Sequence, residues 1–291
     1  MMKNLFTLFL LFFLVSCEDN TVDNKSPIQR NVIVLLDLSD RIIVNKNQPY
    51  LDKQTITSIV DVFLNSIKDT IIHYDKNFGL IKDKFRLRIA DQKGMRFDKR
   101  PFEESLQFDF SNNNQENVKY ILKEFRTILK EKLDTLYSLA TISNNPKDYF
   151  GADIWKFFNE DLETMIIKNA NTKNYLFIIT DGYLYFESYN KQIKNTKRRT
   201  DMKFLSELRN KDWETTFDEK DMGLIPLNKD FSNLKIAVME IAPKDFWNEF
   251  DLIKKVWKKW FKEMGVEEDK VMFSKSDNPT NIQNKIIDFL K

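Results

Sequence analysis

Apolar residues recur along the chain in two spacings, short continuous runs and three-to-four-residue stripes, and the two alternate. Val32-Ile33-Val34-Leu35-Leu36, bounded by Asn31 and Asp37, is short, unbroken and rich in β-branched residues. That pattern predicts a strand buried on both faces. From about 52 to 73, Ile56, Ile59, Val60, Phe63, Leu64 and Ile67 fall on one helical stripe. Residues 85–90 (Phe-Arg-Leu-Arg-Ile-Ala) alternate apolar and polar, as a half-exposed strand does. Helical spacing returns over 114–136 and 153–170, and Tyr175 to Thr180 forms another buried run ending at Asp181-Gly182. A strand over 234–241, a Trp-rich helix over 246–264, a short strand at 271–273 and a helix over 282–290 complete the reading. Strands separated by helices imply right-handed crossovers. The expected fold is therefore α/β: a doubly wound, mainly parallel sheet flanked by helices, Rossmann-like and three-layered. Residues 189–230 lack apolar periodicity and read as a long insertion with one short helix near 204–208.

Composition narrows the function classes. The 291 residues carry 46 Lys and Arg against 44 Asp and Glu, a net charge of +2, without the basic excess of a nucleic-acid binder. A single Cys excludes an internal disulfide framework and Cys-rich metal centres, and a single His leaves little room for His-dependent chemistry. Gly-rich phosphate loops, a Gly-x-Ser-x-Gly elbow and a His-Glu-x-x-His pair are missing from the sequence.

The amino terminus reads as an address. Met1-Met2-Lys3-Asn4 precedes an apolar run from Leu5 to Val15, too short to span a bilayer. Leu14-Val15-Ser16-Cys17 resembles the lipobox of bacterial lipoproteins, in which the Cys is acylated and the preceding peptide removed. The resemblance implies a signal peptide over 1–16, palmitate-type acylation at Cys17 and anchoring to the cell envelope. A plain signal peptide or an uncleaved anchor is the alternative. Residues 17–30 are polar and read as a flexible tether. Glu18-Asp19 resembles the acidic signal that follows the lipidated Cys in surface-exported lipoproteins, and a solvated linker explains it equally well.

Over 31–291 three short motifs fall in the order used by one known fold. Asp37-Leu38-Ser39-Asp40-Arg41 follows the first buried strand, Gly151-Ala152-Asp153-Ile154 opens a helix, and Thr180-Asp181-Gly182 ends a later strand. They resemble the Asp-x-Ser-x-Ser, Gly-Thr-Asp-Ile and Thr-Asp-Gly of the metal-ion-dependent adhesion site in von Willebrand factor A (vWA) domains. The resemblance implies a vWA-like domain whose strand-end site holds Mg²⁺ or Ca²⁺ through Asp37, Ser39 and Asp181. Oxygen ligands of this kind suit a hard cation. Two departures remove neutral ligands: Arg41 stands for the second Ser, and Ala152 for the Thr. Two readings follow. Either an ion still binds, helped by Asp40 or Asp153, or the Arg41 guanidinium replaces it and pairs with Asp37, Asp153 or Asp181. We favour the second; the sequence establishes no cofactor.

The function expected is a non-enzymatic, membrane-anchored protein-binding module with a protein partner and no nucleic acid. If Arg41 fills the site, recognition moves to the insertion. The alternative is a metal-dependent hydrolase of phosphate esters at the same strand ends. Among the remaining features, Trp247, Trp257 and Trp260 are expected in the core. Tyr183, Tyr185, Phe186 and Tyr189 read as a continuing strand in preference to an aromatic rim. Lys197-Arg198-Arg199 reads as a solvated loop, and His73 as a helix-end residue.

Overall fold

The computed structural model describes residues 26–112, 114–143, 145–186, 192–194, 196–244 and 247–291. The lipobox, Cys17, Tyr189 and Phe246 lie outside the described residues.

The described chain begins with β1 (Gln29–Leu36), followed by α1 (Arg41–Val44), α2 (Gln48–His73), β2 (Lys84–Ile89), α3 (Arg100–Ser105), β3 (Gln107–Asp109) and α4 (Gln115–Ala140). Then come α5 (Ile154–Lys156), α6 (Leu162–Met165), β4 (Thr172–Ile179), β5 (Arg198–Arg199), β6 (Gly223–Leu224), α7 (Trp213–Glu219), β7 (Leu234–Ile241), α8 (Glu249–Glu263), β8 (Val271–Lys275) and α9 (Pro279–Leu290), with α7 lying between β5 and β6. Six strands form one sheet in the order β3-β2-β1-β4-β7-β8, all parallel except the short edge strand β3.

Because successive strand residues face opposite sides, β1 divides its side chains between two cores. Ile33 and Leu35 join one cluster with α8 and the insertion, through Trp257, Trp260 and Phe217. Val32, Val34 and Leu36 join the other, against α2, α4 and α9, through Phe63, Phe125 and Ile286. Helix starts follow local chemistry. Asn114 and Asn278 each cap a helix by accepting from the backbone N–H three residues on, and Pro279 opens α9 where no intrahelical donor is needed.

Four expectations are corrected. The helix predicted over 153–170 runs from Ile154 to Met165 and is interrupted by a π-turn at Phe157–Asp161. Residues 181–186 are not a strand. The Thr180 hydroxyl accepts from Gly182 N at 3.2 Å, the Asp181 carboxylate accepts from Tyr183 N at 3.1 Å, and Gly182 has φ 96°, so the backbone turns away from the sheet. The insertion is well packed: Phe204, Leu205, Trp213 and Phe217 are buried, and Arg198 is no solvated loop residue but 8% exposed. Its guanidinium forks to Asp221 and Glu263 at 2.5 and 2.7 Å, which fastens the insertion to α8. Finally, Trp257 and Trp260 are core residues as expected, but Trp247 precedes α8 and is 71% exposed.

Candidate functional site at the strand ends

In this strand order the chain turns left from β1 to β2 and right from β4 to β7, so the crevice between β1 and β4 is where open α/β sheets collect ligands. Asp37 directly follows β1 and Asp181 lies two residues beyond β4. The Asp37 carboxylate is buried and oriented by two donors, Ser39 N at 2.8 Å and the Thr180 hydroxyl at 2.7 Å.

Arg41 lies beneath this layer, 5% exposed. Its Nε donates to the Asp37 carbonyl at 2.9 Å and stands 3.8 Å from the Asp37 carboxylate. The two terminal nitrogens fork onto Asp52 of α2, at 3.1 and 2.7 Å. Asp52 also accepts from Gln48 at 2.9 Å and from the Tyr137 hydroxyl at 2.6 Å. Burial pushes the Asp52 carboxyl up, while Arg41 and these hydrogen bonds pull it back. The partner that Arg41 takes is thus Asp52, which the motif comparison does not single out. A sequence signal exists: Asp52 falls on the same stripe as Ile56, Ile59 and Phe63, an acid on the core face of a helix.

Behind this pair lies Glu240, which is buried and left-handed at φ 64°, where β7 and β8 lose register. It accepts from Thr55 at 2.5 Å and from Ser276.

The rim is acidic. Burial, and then the charge of Asp37, push Asp181 up to about 7, with Arg41 opposing. Asp40 is exposed, and its carboxyl is raised by desolvation and by Asp37 against the pull of Lys244. Lys244 sits 5.1 Å above the Tyr183 ring, which stacks on Tyr185 at 6.0 Å between centroids. The Tyr183 hydroxyl donates to Glu249, which Arg209 clamps with two nitrogens. Tyr183 is thus buried in the core beside α8 and Tyr185 packs against it, so these residues form neither a continuing strand nor an open rim.

Asp37, Ser39, Asp40, Arg41 and Asp181 thus come together. Asp153 does not join them. It caps α5, accepting from Lys156 N at 2.8 Å, and its charged neighbours are Lys156, Asp91 and Glu160. The residues present fit a divalent ion poorly. Ala152 supplies no oxygen, Asp153 is elsewhere, and a permanently charged guanidinium stands beside Asp37. No group of three or more His, Cys, Asp or Glu side chains among the described residues is arranged to hold a metal. Nor is any described helix long and apolar enough to cross a membrane.

No protein-family model matches the chain, and no curated protein matches it. Among solved structures it is similar to proximal thread matrix protein 1 from the mussel byssus, at 12% identity and TM-score 0.39, covering 91% of this chain and 49% of that one. It is also similar to the pilus adhesin SpaC from Lactobacillus rhamnosus GG, at 10% identity and TM-score 0.42, covering 92% of this chain and 31% of that one. The chain thus spans less than half the length of either protein. The architecture stands on the coordinates themselves: a three-layer α/β fold with a mostly parallel six-stranded sheet flanked by helices.

Proposed function

We propose that the chain is a lipid-anchored, non-enzymatic protein-binding module of vWA type, with its recognition surface at the carboxyl ends of β1 and β4. The observation that carries this reading is the convergence of Asp37 and Asp181, 144 positions apart in the sequence, at the switch point of the sheet, with Asp40 exposed beside them. Arg41 stands below Asp37 without filling the site, because its terminal nitrogens are committed to Asp52, so Arg41 and Lys244 offset the acids Asp40 and Asp181 only in part and recognition stays at the rim. A basic group on the partner complements that rim, and the packed insertion beside it widens the contact surface.

Geometry of attachment supports the same orientation. The lipobox Cys17 and the polar tether lead into the amino end of β1, whereas the acidic rim lies at its carboxyl end. Eight extended residues separate the two by roughly 25 Å. With the tether joined at the opposite end of the sheet, the rim is left free to face away from the lipid.

The test is recovery of partners from detergent-solubilised cells by the wild type and by Asp181→Ala and Asp40→Ala, each verified as folded. Partners lost with both substitutions are expected. Equal recovery by all three proteins counts against the rim as the contact surface.

A further inference from the structure

A second polar site lies apart from the rim, where β2 ends against the π-turn. A cavity of about 340 Å³ opens there, within the range of small-ligand sites. Its apolar wall is Ile89, Ala90, Phe157 and Met165. Of its charged residues, Lys99 and Lys156 share Asp91, at 2.5 and 2.7 Å, and stand 3.8 Å from Glu103 and Glu160 respectively, so both lysines are held by acids. Arg88 donates to the Leu87 carbonyl and to Gln107. The acids exceed the bases: Glu103, Asp153, Glu160 and Asp161 line the same space as Asp91.

Asp153 is the decisive residue. It is 2% exposed, its Oδ1 caps the helix through Lys156 N, and its Oδ2 has no hydrogen-bond partner. A buried carboxylate oxygen without a donor is costly, of the order of 1–3 kcal/mol, and such atoms are rare in folded proteins. Burial accordingly pushes the Asp153 carboxyl up to about 6. The π-turn at Phe157–Asp161 puts both Phe157 and the acids Glu160 and Asp161 on the cavity wall; π-turns within helices are frequent at functional positions.

We propose that this cavity binds a primary ammonium or guanidinium group carried on a short aliphatic body, with Asp153 as its counter-ion. The aliphatic body packs on Phe157 and Met165, and binding turns the closed-over Asp153 carboxyl into the cavity, where the cationic head supplies the donor that its Oδ2 lacks. The same chemistry is offered by a free amine and by a Lys or Arg side chain of a polypeptide. Recognition here is independent of the acidic rim between β1 and β4.

The test is calorimetric titration of the folded protein with agmatine and cadaverine. The neutral 1,5-pentanediol, the anionic glutarate and a capped Gly-Lys-Gly tripeptide are the comparison ligands. NMR shift changes at the Ala90 and Asp153 amides locate the binding. Binding of both amines, no binding of diol or glutarate, and weakening of about tenfold or more in Asp153→Asn are expected, the loss of one charge-assisted hydrogen bond. Asn keeps the helix cap, and Glu160→Gln, on the exposed wall, is expected to weaken binding only a few-fold. Tighter binding of the tripeptide than of agmatine assigns the site to a polypeptide side chain, and the reverse order to a free amine. No amine binding, or equal binding by wild type and Asp153→Asn, overturns the proposal. Either result leaves the partner-recovery experiment on Asp181 and Asp40 untouched, so the two readings fail separately.

Discussion

Removing Arg41 and removing Asp52 are expected to damage the protein in different ways, although the two side chains form one buried pair. In Arg41→Ala, Asp52 loses two charge-assisted hydrogen bonds and keeps only Gln48 and Tyr137. Breaking a buried ion pair from one side costs about 3–5 kcal/mol. Asp52 can escape part of that cost by taking up a proton. Its folded-state pKa, already raised by burial, rises further above the unfolded value. The deficit is therefore smallest in acid, where the carboxyl is protonated in both states, and grows as pH rises through the folded pKa. In Asp52→Ala, Arg41 has no such escape, because a guanidinium does not deprotonate. It does keep the carbonyls of Asp37 and Ile179 at 2.9 and 3.2 Å, and the Asp37 carboxylate at 3.8 Å. Its loss is expected to be smaller, about 2–3 kcal/mol in acid, and to shrink as pH rises, because the raised Asp52 carboxyl that the substitution removes costs the wild type stability there. The assay is urea unfolding followed by circular dichroism at about pH 5 and about pH 8. An Arg41→Ala deficit that is independent of pH, or equal to that of Asp52→Ala at both, refutes the description of the pair.

Four further outcomes follow from the same coordinates. Asp181→Asn keeps the acceptor for Tyr183 N and removes a carboxyl held up at about 7. The variant is expected to gain up to about 4 kcal/mol over wild type at pH 8, about 1.4 kcal/mol for each unit by which the carboxyl is raised, and almost nothing at pH 4, the gap opening as pH rises, as unfolding curves at the two pH values will show. With Arg41 already in place, millimolar Mg²⁺ or Ca²⁺ is expected to leave the thermal midpoint unchanged, whereas a rise of several degrees that vanishes in Asp181→Ala restores the metal reading. Gly151→Ala would set a Cβ 1.2 Å from the Tyr185 carbonyl; loss of near-ultraviolet circular dichroism is expected, and a wild-type melting curve contradicts the close approach of these two loops. Cys17→Ala is expected to move the protein from the detergent-extracted membrane fraction to the soluble one on fractionation, and continued membrane retention argues against acylation there.

The sequence by itself determined the layer architecture. The runs at Val32–Leu36, Tyr175–Ile179 and Leu234–Ile241 have no polar face, so each can only be a strand covered on both sides. Helical stripes between such strands leave the parallel, doubly wound arrangement as the economical solution. Periodicity also placed Asp37 and Asp181 at strand ends, and strand order brought them together. What it could not reach is anything set by contacts between distant segments. Edge strand β3 is three residues long, too short to show a period, and exists because β2 offers it an edge. The insertion carries only one-turn stripes, Phe204 with Leu208 and Trp213 with Phe217 on α7, too short to stand out as a period, and its packing is completed by α8 and the Arg198 fork. Arg41 was legible as a departure from the adhesion-site pattern, but its partner was not. Asp52 lies eleven positions away on another helix, and only the fold decides which carboxylate meets a guanidinium in the low-dielectric space under the sheet. Asp153 was read as a neighbour of Asp37 because its motif has that place in the resembling family. Here the loop pairs antiparallel with residue 92 beyond the end of β2, which sets Asp153 in the wall of the second cavity. Patterns along a chain fix what must be buried; which charges end up facing one another is settled only when separate elements close around them.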